Sequence, residues 1–176
     1  MKLLVRFTFV LIAFFLSVVA GVAQAEHIGA RLTGYQEVPS VSTVASGEFR
    51  GFINRNDDSI AYELTYGGLQ GTVTQAHIHV AQRSVTGSIV IWLCQTATNP
   101  GPAGTQTCPQ SGTVTGTITA SNVIAGSTAS QQLTAGDLAE IIRAIRAGAA
   151  YANVHTNLSS GGEIRGQIKS ANKHRD

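Results

Sequence analysis

The sequence predicts an all-β fold: an antiparallel β-sandwich or Greek-key barrel of about eight strands, with one short α-helix near residues 135–147. Three observations predict it. Gly, Ser, Thr and Val dominate, and charged residues make up only 12% of the chain, too few for a chain of solvated helices. Apolar residues recur mostly at every second position, the period of a strand. Turn-forming clusters punctuate the chain, such as "NRNDD" (Asn54–Asp58), whose Asn and Asp side chains can bond their own backbone, and "GGLQG".

In chain order, residues 1–25 stand outside the fold. Lys2 and Arg6 precede an apolar run from Phe7 to Ala20, and Ala23-Gln24-Ala25 forms a small-residue cleavage site. That is the pattern of a secretory signal peptide, too short for a membrane span and without a basic stop-transfer cluster. The remaining chain, about 150 residues, is one domain over 26–170 with a polar C-terminal tail at 171–176, and it is long enough to bury a core.

Strands are expected at Ile28–Tyr35, Ala45–Asn54, Ser59–Tyr66, Gln75–Ala81, Gly87–Cys94, Gly112–Ala120, Tyr151–Thr156 and Gly162–Lys169. The exception is "LTAGDLAEIIRAIRAGAA", where Leu138, Ile141, Ile142 and Ile145 recur at helical spacing. Thr134 is a candidate N-cap, Arg143 and Arg146 suit the negative end of the helix dipole, and Gly148 can stop the helix. Trp92, in "SIVIWLC", reads as a core plug. Cys94 and Cys108 are the only cysteines and enclose "QTATNPGPAGTQT", a loop by composition. In an exported chain such a pair predicts a disulfide.

Charge and motifs narrow the function. Lys2 and Arg6 leave with the signal, and the twelve basic residues then fall to match the ten acidic ones. A neutral chain carries no electrostatic footprint for nucleic acid, and with the signal removed no stable membrane span remains. There is no Gly-rich phosphate loop after a strand, no G-x-S-x-G elbow, no H-E-x-x-H and no CxxC.

The histidines offer more. In "AHIHVAQ", Ala76, Ile78 and Val80 point to one face of a strand and His77 and His79 to the other. In the strand from Tyr151, residues Tyr151, Asn153 and His155 share the polar face. The short connection "NLSSGG" makes the last two strands a hairpin, and agreement of their apolar faces sets His155 and Asn153 on one face with Glu163, Arg165 and Gln167. Alternation turns this polar set outward, as a solvated patch. If strand order brings His77 and His79 beside His155, three imidazoles and a water could hold copper or zinc with an open coordination position, and Asn153, Glu163, Arg165 and Gln167 would be supporting groups. One metal cannot join them if the rings lie more than about 8 Å apart. Glu37, ahead of Val38-Pro39, caps a turn or bonds Arg165 across the fold. No nucleophile accompanies the histidines, so a catalytic assignment has no support from the motifs.

Three stretches resemble the CHRD (chordin-type) domain family: "ARLTGYQEVPSVSTVASGEF" (Ala30–Phe49), "AHIHVA" with the following "GSIVIWL", and "LTAGDLAEIIRAIRAGAAYANVHTNLSSGGEIRGQI" (Leu133–Ile168). The resemblance implies an all-β domain outside the cytoplasm, secreted or periplasmic. In chordin such domains recur in a secreted antagonist of growth-factor signalling. It further implies a non-enzymatic binding or structural module, with an extracytoplasmic protein, glycan or envelope component as partner. His77, His79, His155, Glu163, Arg165, Gly166 and Gln167 fall on its most characteristic motifs. The order H-x-H, then Val-His, is also similar to Cu/Zn superoxide dismutase. The chain departs from that family in having no histidine between His79 and His155 to bridge two metals and no histidine-rich zinc loop, so the likeness extends to a mononuclear site and not to dismutase activity.

Overall fold

A computed structural model describes residues 25–171; all but Ala25 of the expected signal peptide and all but Ala171 of the polar tail lie outside them. The fold is all-β, a single nine-stranded antiparallel sheet curled almost into a barrel, with one short α-helix. The strands are β1 (Glu26–Thr33), β2 (Ser46–Ile53), β3 (Ser59–Gly67), β4 (Val73–Val80), β5 (Ser88–Cys94), β6 (Gly112–Thr119), β7 (Ala150–Thr156), β8 (Ile164–Gln167) and β9 (Lys169–Ser170). Their spatial order is β5-β4-β7-β8-β1-β2-β3-β6, with β9 beside β1. The barrel nearly closes where the segment after β6 meets β5, through the Ile91–Val123 bridge and the bond from Ile124 N–H to the Val90 carbonyl.

Period-two patterning explains the interior. Ile28, Ala30 and Leu32 of β1, Phe49 and Ile53 of β2, Ile60 and Leu64 of β3, and Ala76 and Ile78 of β4 alternate inward and are buried. Ala152 and Val154 of β7 and Ile164 of β8 complete the set. The β7–β8 hairpin has the expected parity, with Asn153 opposite Arg165 and Tyr151 opposite Gln167. The last predicted strand is shorter than expected: β8 stops at Gln167 and the chain resumes pairing as β9 against β1.

The helix α1 (Leu138–Arg146) covers one end of the barrel with Leu138, Ile141, Ile142 and Ile145 buried. Its N-cap is Asp137, whose carboxylate accepts from the Glu140 N–H, and not Thr134. The preceding Gly136 takes φ +82, so Thr134 belongs to a turn outside the helix. At the other end Gly148, at φ +71, donates to the Ile145 carbonyl and Ala149 to that of Ala144, a Schellman closure. Arg146 ties this end to Glu26 and Asp57.

Cys94 and Cys108 form the predicted disulfide, fixing the loop between β5 and β6. Trp92 is not in the core. It lies on the outer face, half-buried, because bulges between β4 and β5 shift the register there and Gly101 packs flat on the indole. Among the described residues no helix is long and apolar enough to cross a membrane.

Candidate functional site

Strand order decides the histidine question. β4 and β7 are neighbours, so His77 stands opposite Asn153, Gln75 opposite His155 and His79 opposite Tyr151. The three imidazoles therefore share the outer face of two adjacent strands. Their ring centroids are 4.9 Å (His77–His155), 5.5 Å (His77–His79) and 6.1 Å (His79–His155) apart. One nitrogen from each lies within 4.8 Å of the others.

This face is not a solvated patch, which corrects the expectation drawn from alternation. His77 is fully buried, and His79, His155, Asn153, Glu163, Arg165 and Gln167 are all buried too. Alternation tells which side of a strand a residue takes, and here a second layer covers the outer side. The loop from Ala81 to Gly87, the segment Gly34–Ala45, the turn Asn157–Gly162 and the indole of Trp92 form that layer.

Buried polar groups require partners, and the roof supplies most of them as backbone carbonyls. His79 Nδ1 lies 2.9 Å from the Gly87 carbonyl and His155 Nδ1 lies 2.9 Å from that of Ser160. A carbonyl only accepts, so both Nδ1 atoms carry the proton and both Nε2 atoms present lone pairs. His77 Nδ1 lies 3.2 Å from His155 Nε2 and must donate to it, which leaves His77 Nε2 as a lone pair as well. Burial pushes His77 down to about 2 and His79 to about 4, and it lowers His155, so all three are neutral. His79 stacks on Tyr151, with centroids 4.6 Å apart, and the rings of Trp92 and His77 meet nearly at right angles with centroids 4.3 Å apart.

Each predicted supporting residue has a distinct place. Asn153 lies beside both His79 and Glu37. Glu163 does not face the imidazoles. Its carboxylate accepts from the Gln70 and Gly71 N–H groups and from the Thr43 and Thr156 hydroxyls. Burial alone would raise its pKa, but these four donors outweigh it and hold the carboxyl below the usual range. Arg165 lays its guanidinium 3.4 Å from the Tyr151 ring centroid and donates to the Gln82 and Val85 carbonyls. Gln167 donates to the Ala81 and Gly148 carbonyls.

Among the described residues, the buried side-chain polar atoms without a partner are Glu37 Oε1, His77 Nε2, His79 Nε2, Asn153 Oδ1 and Gln167 Oε1. All five belong to this one layer. Glu37 closes the Gly34–Gln36 turn, its N–H donating to the Gly34 carbonyl, and of its two expected roles it lacks the bond to Arg165. It is buried within electrostatic reach of Arg165 yet makes no ion pair with it, and burial raises its carboxyl to about 7. The carbonyls of Gly87 and Ser160, which orient two of the imidazoles, carry no sequence signal at all. The exposed Arg83 and Tyr35, at the edge of the layer, had none beyond residue type.

No curated protein and no solved structure gives a significant match, and the dismutase likeness therefore rests on motif order alone. The family model for the CHRD domain matches residues 28–168, most of the chain and every element that builds this layer. The chain belongs to the CHRD-domain family.

Proposed function

We propose that this is an exported, non-enzymatic binding module in which His77, His79 and His155 hold a single copper or zinc ion. The observation that carries the reading is the set of three neutral imidazoles with nitrogens within 4.8 Å, two of them oriented by backbone carbonyls. Metal-binding histidines usually donate their second ring N–H in this way. With metal–nitrogen bonds near 2.0–2.1 Å, rings around one ion have centroids about 5.2–5.5 Å apart, and the observed 4.9–6.1 Å brackets that value. Imidazole nitrogen suits both copper and zinc. His77 Nδ1 carries its proton toward His155 Nε2, so to ligate through that nitrogen His77 would have to hold its proton on Nε2 instead. The closed roof supports a resident ion over turnover, since no ring nitrogen of the trio reaches solvent freely. The disulfide supports an oxidising compartment, secreted or periplasmic.

The test is elemental analysis of protein purified without a polyhistidine tag, after equilibration with copper or zinc and desalting. One ion per chain is expected, lost in His155→Ala and His77→Ala, with folding of each checked by circular dichroism. Stoichiometry near zero in the parent, or equal loading in the folded variants, refutes the assignment.

A further inference from the structure

Arg165 and Gln167 of the buried layer also line a surface depression formed with residues 35–40 and 83–84. Arg165 is 2% exposed, and of its three nitrogens only Nη2 is bonded, to two carbonyls. Among the described residues no carboxylate lies within ion-pair distance of it; the ion pairs there involve Arg50, Arg143 and Arg146. A buried unpaired guanidinium is costly and asks for an anion. Glu37 lies within electrostatic reach of Arg165 but not within ion-pair distance.

Arg165 and Gln167 line a pocket of about 300 Å³, with Glu37 and Arg83 also in its wall and Tyr35, 72% exposed, at its rim. Glu37 and Gln167 also line this pocket, so polar side chains stand beside the guanidinium and suit a ligand that carries hydroxyls. The pocket runs on through Gln36, Arg83 and Gln167 into a second depression of about 510 Å³, lined by Arg31 and Lys169. Arg31, Arg83 and Lys169 are exposed and in no ion pair among the described residues, whereas Arg50 nearby is paired with Glu48. A chain with little net charge thus gathers four unpaired cations along one groove.

We propose that this groove binds an acidic polysaccharide, with one uronate ring in the pocket, its carboxylate on Arg165 and its hydroxyls toward Gln167 and Glu37. With Nη2 held by the two carbonyls, an Nε–H or Nη1–H donor is left to give the carboxylate a single charge-assisted hydrogen bond. Tyr35 offers a flat face to the sugar ring, and Arg83, Arg31 and Lys169 follow the charges of neighbouring residues. A single aromatic at the rim suits a sugar ring better than a run of nucleic-acid bases, which need several stacking platforms.

Isothermal titration of the folded chain with trigalacturonate, its methyl ester and charge-matched oligoglutamate and oligonucleotide tests this. A chelator throughout makes the outcome independent of metal occupancy. Trigalacturonate should bind, with the methyl ester at least about tenfold weaker because each charged hydrogen bond carries that much. Arg83→Ala and Lys169→Ala, both at exposed positions, should each weaken binding several-fold and flatten its salt dependence, and Tyr35→Ala should weaken it with the salt dependence retained. Arg165→Gln should abolish it, but because that residue is buried the exposed variants are the deciding ones. No binding of trigalacturonate, unchanged affinity in Arg83→Ala and Lys169→Ala, or equal affinity for oligoglutamate or the oligonucleotide overturns the proposal.

Discussion

Lowering the pH should unfold the metal-free protein earlier than a β-barrel without buried histidines. The cause is the imidazole trio, which burial keeps neutral: His79 is held near 4, His77 near 2, and His155 below its ordinary value. In the unfolded chain all three titrate near 6.5. Folded values below unfolded ones mean that the unfolded state takes up protons first. Their contribution to stability is therefore whole above pH 6.5 and is lost as pH falls. Each such group contributes a slope of about 1.4 kcal/mol per pH unit. Glu37 works in the opposite sense: raised from 4.5 to about 7, it stabilises fully below 4.5 and loses that contribution as pH rises through 7. Between pH 6.5 and 4.5 it cancels one of the two imidazoles His77 and His79, and a net slope of about 1.4 kcal/mol per pH unit remains, to which His155 adds in the same direction. Over those two units the loss is at least roughly 2–3 kcal/mol, a sizeable part of the 5–15 kcal/mol that holds an ordinary domain together. Urea denaturation in chelator at pH 7.5, 6.5, 5.5 and 4.5 measures it directly. Stability that stays flat across this range, or imidazoles that titrate near 6.5 by NMR while the fold remains intact, refutes the reasoning.

Two further outcomes follow from the fold. Replacing both cysteines, Cys94→Ser with Cys108→Ser, frees a loop of sequence separation 14 and should cost about 3 kcal/mol on the chain-entropy account; an unchanged urea midpoint would show that the loop is held by its other contacts. Gly162 sits at φ +124 with no room for a methyl group, which would overlap Glu37 Oε1, so Gly162→Ala should lose about 1–3 kcal/mol, and parental stability by the same assay would show that Glu37 can move aside.

The barrel was legible because its signal is local. Eight strands were expected within a few residues of where they lie, since most inward positions of β1 to β8 are apolar or glycine and the turns carry their own chemistry. The errors occurred where a long-range constraint overrode the local one. Thr134 has the composition of an N-cap, but the bond that matters is made by Asp137 to the Glu140 N–H. Trp92 looks like a core residue in an apolar run, yet the β4–β5 bulges put it on the histidine face.

The site was half legible, for a reason that period-two patterning makes plain. Alternation placed His77, His79, His155, Asn153, Arg165 and Gln167 on the side away from the core, and they are there. It gave no information on what lies above that side. A polar outer face is normally wet, whereas here segments remote in sequence close over it and satisfy it with carbonyls from Gly87, Ser160, Gln82 and Val85. Backbone atoms are common to every residue, so no motif announces them. Glu163 illustrates the consequence. By register and type it belonged with the histidines, but four donors from the roof claim its carboxylate, and it fastens the layer shut without entering the site. Net charge misleads in the same way, because a balanced count conceals where the cations stand. Among the described residues Arg31, Arg83 and Lys169 are in no ion pair, and they line connected depressions beside the buried guanidinium of Arg165. Polar chemistry that is closed over the histidines and open at Arg165 is what a barrel would need to hold an ion permanently and a larger anionic partner reversibly.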